Sequence, residues 1–259
     1  MLEALKRFLS GVCRLTPETL MAVKPRESLK LHLPDTANHH LLESAYRLLW
    51  SKKATYSLEM RKESEIMCFA SAEKRSSLEE LVKRLVAVHP FPRFEPADIP
   101  LPEECYVSAG YLKLSGTPYM LKTEADPLIH ALSAADSILI QFLFRPERIV
   151  VEKFHYESPV FKLRVAVAAF AESREKALNT CRRVLESFTL LSSAHTSLEP
   201  VLPRIPNSCA LLKSMLERRF LLGDSFRVTA EELAALAHLP GGLLDPRVYR
   251  KGEAGNLRD

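Results

Sequence analysis

The stretch "TYSLEMRKESEIMCFASAEKRSSLEELVKRLVAV", Thr55 to Val88, carries two periodicities in succession. Tyr56, Leu58 and Met60 alternate with Ser57, Glu59 and Arg61, the mark of a half-buried strand. A turn at Lys62–Ser64 leads into "EIMCFAS", a second strand. The period then lengthens. Leu78, Leu81, Val82 and Leu85 fall on one helical face, and Ser77 with Glu80 has the spacing of a capping box at its start.

Working outward, "SLKLHLP" reads as a short strand and "NHHLLESAYRLLW" as a helix with Leu41, Leu42, Ala45, Leu48 and Leu49 inward. "PRFEPADI" reads as an edge strand, where proline is tolerated. The succession β-α-β-β-α-β is the split unit of the ferredoxin-like fold. After the linker "IPLPEE" the theme recurs in decorated form. "YVSAGYLKLSGTPYMLKT" reads as a hairpin or two strands around Ser115–Gly116, then "DPLIHALSAAD" as a helix and "SILIQFLFRP" as a strand. A second extended piece, "IVVEKFHYES", precedes the long strand "VFKLRVAVAAFA". A helix capped by Ser173 and striped by Ala177, Cys181, Val184 and Phe188 follows, and "TSLEPVL" closes the unit. The expected fold is therefore α+β, with two ferredoxin-like units and terminal helices. The expected divisions are 1–26 (helical), 27–99 (first unit), 100–203 (second unit) and 204–259 (helices and tail).

In "ILIQFLF" both faces are apolar, Ile138, Ile140, Phe142 and Phe144 against Leu139 and Leu143. Such a sheet must be covered on its second side. "NSCALLKSMLERRF", the opening stretch and the other repeat are the candidates. The opening "MLEALKRFLSGV" reads as an amphipathic docking helix, and no run approaches the roughly 20 apolar residues of a membrane span.

The chain has 259 residues and a net charge of +4, which permits contact with nucleic acid without announcing it. With 8 glycines against 17 prolines, it carries neither G-x-x-x-x-G-K-[ST] nor G-x-G-x-x-G, so a phosphate-loop nucleotidase is excluded for these residues. His39 and His40, being adjacent, point about 100° apart on a helix and cannot share a metal. The remaining histidines form no triad with a serine or cysteine. Cys68 and Cys181 fall in apolar periodic segments and read as small core side chains in a reducing compartment. No cofactor is expected. The basic residues Lys52, Lys53, Lys74, Arg75, Arg182 and Arg183 are on outward helix positions and are the candidate phosphate contacts.

"RVTAEELAALAHLP", Arg227 to Pro240, is a fully punctuated helix: Thr229 and Glu232 form a capping box, Leu233, Leu236 and Ala237 a stripe, and Pro240 a stop. Together with the stretches at 54–98, 126–146 and 161–188, it resembles the region preceding the motor in conjugation-type and HerA/TraG-like (type IV secretion) DNA-translocating ATPases. The resemblance covers most of residues 27–240, and no motor sequence follows them here. It implies a non-catalytic accessory module, cytoplasmic or held at a membrane through a partner, that meets a separate phosphate-loop ATPase subunit. Thr229, Glu232, Leu233, Leu236 and His238 would then be the docking residues. Weak DNA contact and a homo-oligomer are compatible with it. The alternative expectation is a stand-alone nucleic-acid-binding module using the basic helix faces.

Overall fold

The hairpin at 56–72 lies next to the middle of the sheet. The computed structural model describes residues 11–21, 27–32, 39–88, 93–124, 126–153, 156–205 and 207–238. In it β3 (Tyr56–Lys62) and β4 (Ile66–Ala72) pair antiparallel from Tyr56↔Ala72 to Lys62↔Ile66. β2 (Ser28–His32) lies beside β4 and takes β5 (Arg93–Pro96) on its far edge. The connections are α2 (His39–Leu49) and α3 (Arg75–Val88). The first quartet thus runs β3-β4-β2-β5, all antiparallel.

The second quartet repeats this succession. β6 (Cys105–Gly116), α4 (Pro127–Ser133), β7 (Ile138–Lys153), β8 (Tyr156–Ala171), α5 (Arg174–Ser187) and β9 (Thr196–Val201) give the order β7-β8-β6-β9. In both quartets the spatial order is second, third, first, fourth. The two meet through their second strands, β3 on β7, antiparallel from Tyr56↔Phe144 to Lys62↔Ile138. The result is one antiparallel sheet of ten strands with helices, an α+β architecture. The remaining two strands come from the flanking segments: β1 (Cys13–Leu15) pairs with β6, and β10 (Phe226–Thr229) pairs with β8. The segments expected as separate ends therefore join the second quartet. The expected opening helix lies largely outside the described residues; a short helix, α1 (Pro17–Met21), follows β1.

Three local expectations are corrected. The stretch from Tyr106 contains no hairpin at Ser115–Gly116, because β6 runs unbroken for 12 residues. Gly116 ends it at φ +97°, where a Cβ would also run into the His195 carbonyl, so glycine is required. β7 continues through "IVVEK" across a bulge between Pro146 and Val150 and forms with β8 one long pair of strands. Finally, α3 starts at Arg75, two residues before Ser77. The Ser77 and Leu78 amides already donate to the Lys74 carbonyl, so Ser77 sits inside the first turn and Glu80 binds Arg84 instead. Ser173 does cap α5, accepting from the Lys176 amide at 3.3 Å. Ser173→Ala is accordingly expected to cost about 1 kcal/mol of stability, and Ser77→Ala less than about 0.5 kcal/mol, in paired urea unfolding curves.

Each face of the sheet has its own core. Leu58, Met60, Ile140, Phe142, Phe144, Val165 and Val167 point to the side bearing α2 to α5. Ala177, Cys181, Val184 and Phe188 meet them from α5 and the turn after it, as their 3.6-residue spacing required. On the other side, Phe69, Leu139, Ala166, Ala168 and Phe170 are covered by α6 (Ser208–Leu216) through Leu211, Leu212 and Met215. Of the three candidate covers, it is the "NSCALLKSMLERRF" segment that supplies this helix. The other repeat lies alongside at the seam, continuing the sheet.

Candidate functional site

The expected docking helix is α7 (Ala230–Leu236), and its cap forms as its sequence demands. Thr229 Oγ1 accepts from the Glu232 amide at 3.3 Å and Glu232 Oε2 accepts from the Thr229 amide at 2.9 Å. The same carboxylate accepts from the Leu121 amide through Oε1 at 3.0 Å. Leu233 and Leu236 are fully buried, and Tyr46 of α2 donates its hydroxyl to the Ala237 carbonyl at 2.6 Å. His238 Nε2 lies 2.9 Å from Asp126 Oδ1, while Nδ1 faces the Ala235 carbonyl at 3.1 Å. Thr229, Glu232, Leu233, Leu236 and His238 are thus all internal, none above 4% exposed. The apolar stripe that promised a partner closes the chain's own helix layer over α2 and β8. As a partner-docking surface these five residues are corrected.

Asp126 has a second role: its carboxylate caps α4, accepting from the Leu128 and Ile129 amides. Burial pushes this carboxyl up, but the hydrogen bond and charge of His238, with the two amides, outweigh it and leave it below its ordinary value. A depressed folded pKa means stability that is fully present above the unfolded value near 3.9 and is lost as pH falls through the folded value. Asp126→Asn, which keeps a cap oxygen, is expected to flatten the fall of the melting temperature with acid below about pH 4.

The basic candidates are at the surface. Lys52 and Lys53 follow α2, Lys74 and Arg75 open α3, and Arg182 and Arg183 lie on the outer side of α5; all six are exposed. Lys52 reaches Glu80 at 3.9 Å and Arg75 reaches Glu79 at 3.5 Å. The Glu73 amide donates to the Thr55 carbonyl, bringing Lys53 and Lys74 to one end of the first quartet. The other pair belongs to the second quartet, so no single patch gathers all six.

The sheet face under α6 holds a polar cluster that was not anticipated. Glu59 and Gln141 are partners across the β3–β7 seam, both essentially inaccessible. Glu59 Oε1 accepts from Ser57 at 2.7 Å, Gln141 at 3.0 Å and Arg218 Nε at 2.8 Å, and Oε2 accepts from Ser71 at 3.0 Å. Arg218 just follows α6 with φ +51°, a left-handed position normally given to glycine, and its side chain is drawn inward onto the carboxylate. Gln141 donates to the Met215 carbonyl and accepts from Arg164. Arg164 Nη1 in turn donates to the carbonyls of Arg219 and Leu222 at 2.7 and 2.8 Å, holding down the loop after α6. Burial lowers the Arg164 guanidinium to about 10, so it still carries its charge at neutral pH. The sequence signal was the lone Gln141 in the apolar run "ILIQFLF"; in "YSLEMRK" Glu59 stands among the polar alternating residues and is not singled out. Sealed in this way, the cluster fastens α6 and the seam and offers no reacting group to solvent.

Among the cysteines, Cys105 is a free, half-buried thiol. Cys68 and Cys181 are buried in the core, and burial pushes both up to about 12. Cys13 and Cys209, however, form a disulfide joining β1 to α6. Among the described residues, no group of three or more His, Cys, Asp or Glu side chains is arranged to hold a metal, and no helix is long and apolar enough to cross a membrane. No family model matches the chain, and no curated protein sequence is significantly similar to it.

Proposed function

We propose that the chain is a non-catalytic assembly module of a DNA-translocation apparatus, related to the front domains of conjugation-type ATPases and acting on a separate phosphate-loop motor by protein contact. In this reading each quartet is a ferredoxin-like unit. The observation that carries the reading is the seam. Two quartets with one strand order are fused into a single sheet, pinned at the seam by the buried Glu59–Arg218 pair, which makes a stiff platform with its free chemistry on the outside. The docking surface lies elsewhere than α7. The test is reconstitution of the purified chain with a HerA/TraG-like ATPase lacking its own front domains. A stable complex on gel filtration and a changed ATP turnover are expected; no complex at micromolar concentrations of both proteins rejects the reading.

A second reading, a nucleic-acid-binding module, has one observation in its favour. Lys53, Lys74, Arg182 and Arg183 are exposed and make no ion pair with a described residue. It requires an affinity for DNA that falls steeply with salt and that drops further in a K53E/K74E/R182E/R183E variant.

A further inference from the structure

One row of the sheet places three cations side by side. Arg145 of β7, Lys162 of β8 and Arg227 of β10 are successive cross-strand partners and therefore project from the same face, the one that α6 covers farther along. Adjacent strands lie about 4.8 Å apart, so the three Cα atoms span only about 10 Å. Like charges in such positions repel and destabilise the pairing. One carboxylate answers them: Glu147 Oε2 holds Arg227 Nε at 2.6 Å. Neither Arg145 nor Lys162 makes an ion pair with a described residue.

Above the row sits the loop after α6, fixed there by Arg164. It lays the Phe220 ring between the two unanswered cations, with Lys162 Nζ 5.4 Å and Arg145 Cζ 5.6 Å from its centroid. On either side of Phe220 are the exposed Arg219 and Leu221, the latter 64% accessible. A shallow cleft continues the surface, its charged lining made of Lys53, Glu73, Arg145, Glu147 and Arg148. Cations, an aromatic ring and an exposed aliphatic side chain, bordered by carboxylates, compose a protein-binding surface rich in arginine and aromatic character.

We infer that this surface docks an acidic segment of a partner protein, one that sets two or three carboxylates on the Arg145–Lys162 row and an apolar side chain on Phe220 and Leu221. Guanidinium groups bind carboxylates as paired hydrogen bonds, which a discrete acidic side chain can meet one at a time. A continuous phosphate backbone fits less well, because the exposed Leu221 beside Phe220 gives it no partner. The inference deepens the assembly-module reading, on which it rests for the partner's existence, by moving docking from α7 to the sheet end.

The test is selection of a phage-displayed random peptide library on the full-length chain, followed by fluorescence anisotropy with the recovered peptides. The expected pool is rich in Asp and Glu with a recurrent apolar residue. R145E/K162E is expected to weaken binding by at least tenfold and F220A by a smaller factor, with neither variant's circular dichroism spectrum altered. A pool without acidic enrichment, or binding indifferent to R145E/K162E, overturns the inference. So does an oligodeoxythymidylate 20-mer that binds more tightly than any peptide and is lost in the same variant, which would make the row a nucleic-acid surface. Repeating the motor reconstitution with R145E/K162E separates the two readings. A complex that survives rejects this surface and keeps the module, whereas peptide binding without any motor complex does the reverse.

Discussion

Glu59→Ala is expected to lower the unfolding free energy by about 3–5 kcal/mol, the range for breaking a buried ion pair from one side. The loss exceeds the worth of the contact itself. Arg218 would stay in the interior without its carboxylate, and Ser57, Ser71 and Gln141 would each lose an acceptor. The double substitution E59L/R218M removes both charges and is expected to recover part of the loss, since the uncompensated charge is gone while Ser57, Ser71 and Gln141 still lack that acceptor. Chemical denaturation of the wild type, the single and the double variant provides the measurement. A single variant within about 1 kcal/mol of wild type, no more than an ordinary surface change, would mean that the seam is not held by this pair.

Reducing the Cys13–Cys209 disulfide is expected to cost about 2–5 kcal/mol. The bond closes a loop of sequence separation 196, and in the chain-entropy account the stabilisation grows with the logarithm of loop length. Its position also makes the effect local. It fastens β1 to α6, and α6 covers the second core, so hydrogen exchange should rise first in 208–216 and in β1. C13S/C209S under non-reducing conditions is expected to reproduce the reduced protein, and dithiothreitol should leave that variant unchanged. Cys68 and Cys181 should stay unlabelled by thiol reagents until the chain unfolds, because burial holds both thiols protonated.

What the sequence made legible follows one dividing line. Elements defined by their own periodicity came through. Ser173 caps, Thr229 with Glu232 builds the expected box, and Tyr56, Leu58 and Met60 are buried, but β3 is not the half-buried strand expected, since Ser57, Glu59 and Arg61 on its other face are buried as well. The succession of strands and helices was readable for the same reason. Quantities set by distant pairing were not. Nothing near Cys13 announces Cys209, and nothing in "SLEM" says that its glutamate will face Arg218, 159 residues away. The capped helix misled in an instructive manner. An amphipathic stripe states that a helix must bury one face, and it is silent on whether the covering surface belongs to the same chain. The Ser77 box failed because an earlier residue, Lys74, already offers its carbonyl to the first turn.

The meeting of the quartets through β3 and β7 has a consequence for how the molecule is assembled. Each half presents the other with the strand that occupies the same place in its own order, as two copies of one protein do in a symmetric pair. Tethering turns that encounter into an intramolecular event with an effective concentration in the millimolar range, far above what a cell holds of any single subunit. Severed from its mate, either half would bare a row of unsatisfied amides and carbonyls and recruit whatever strand came first.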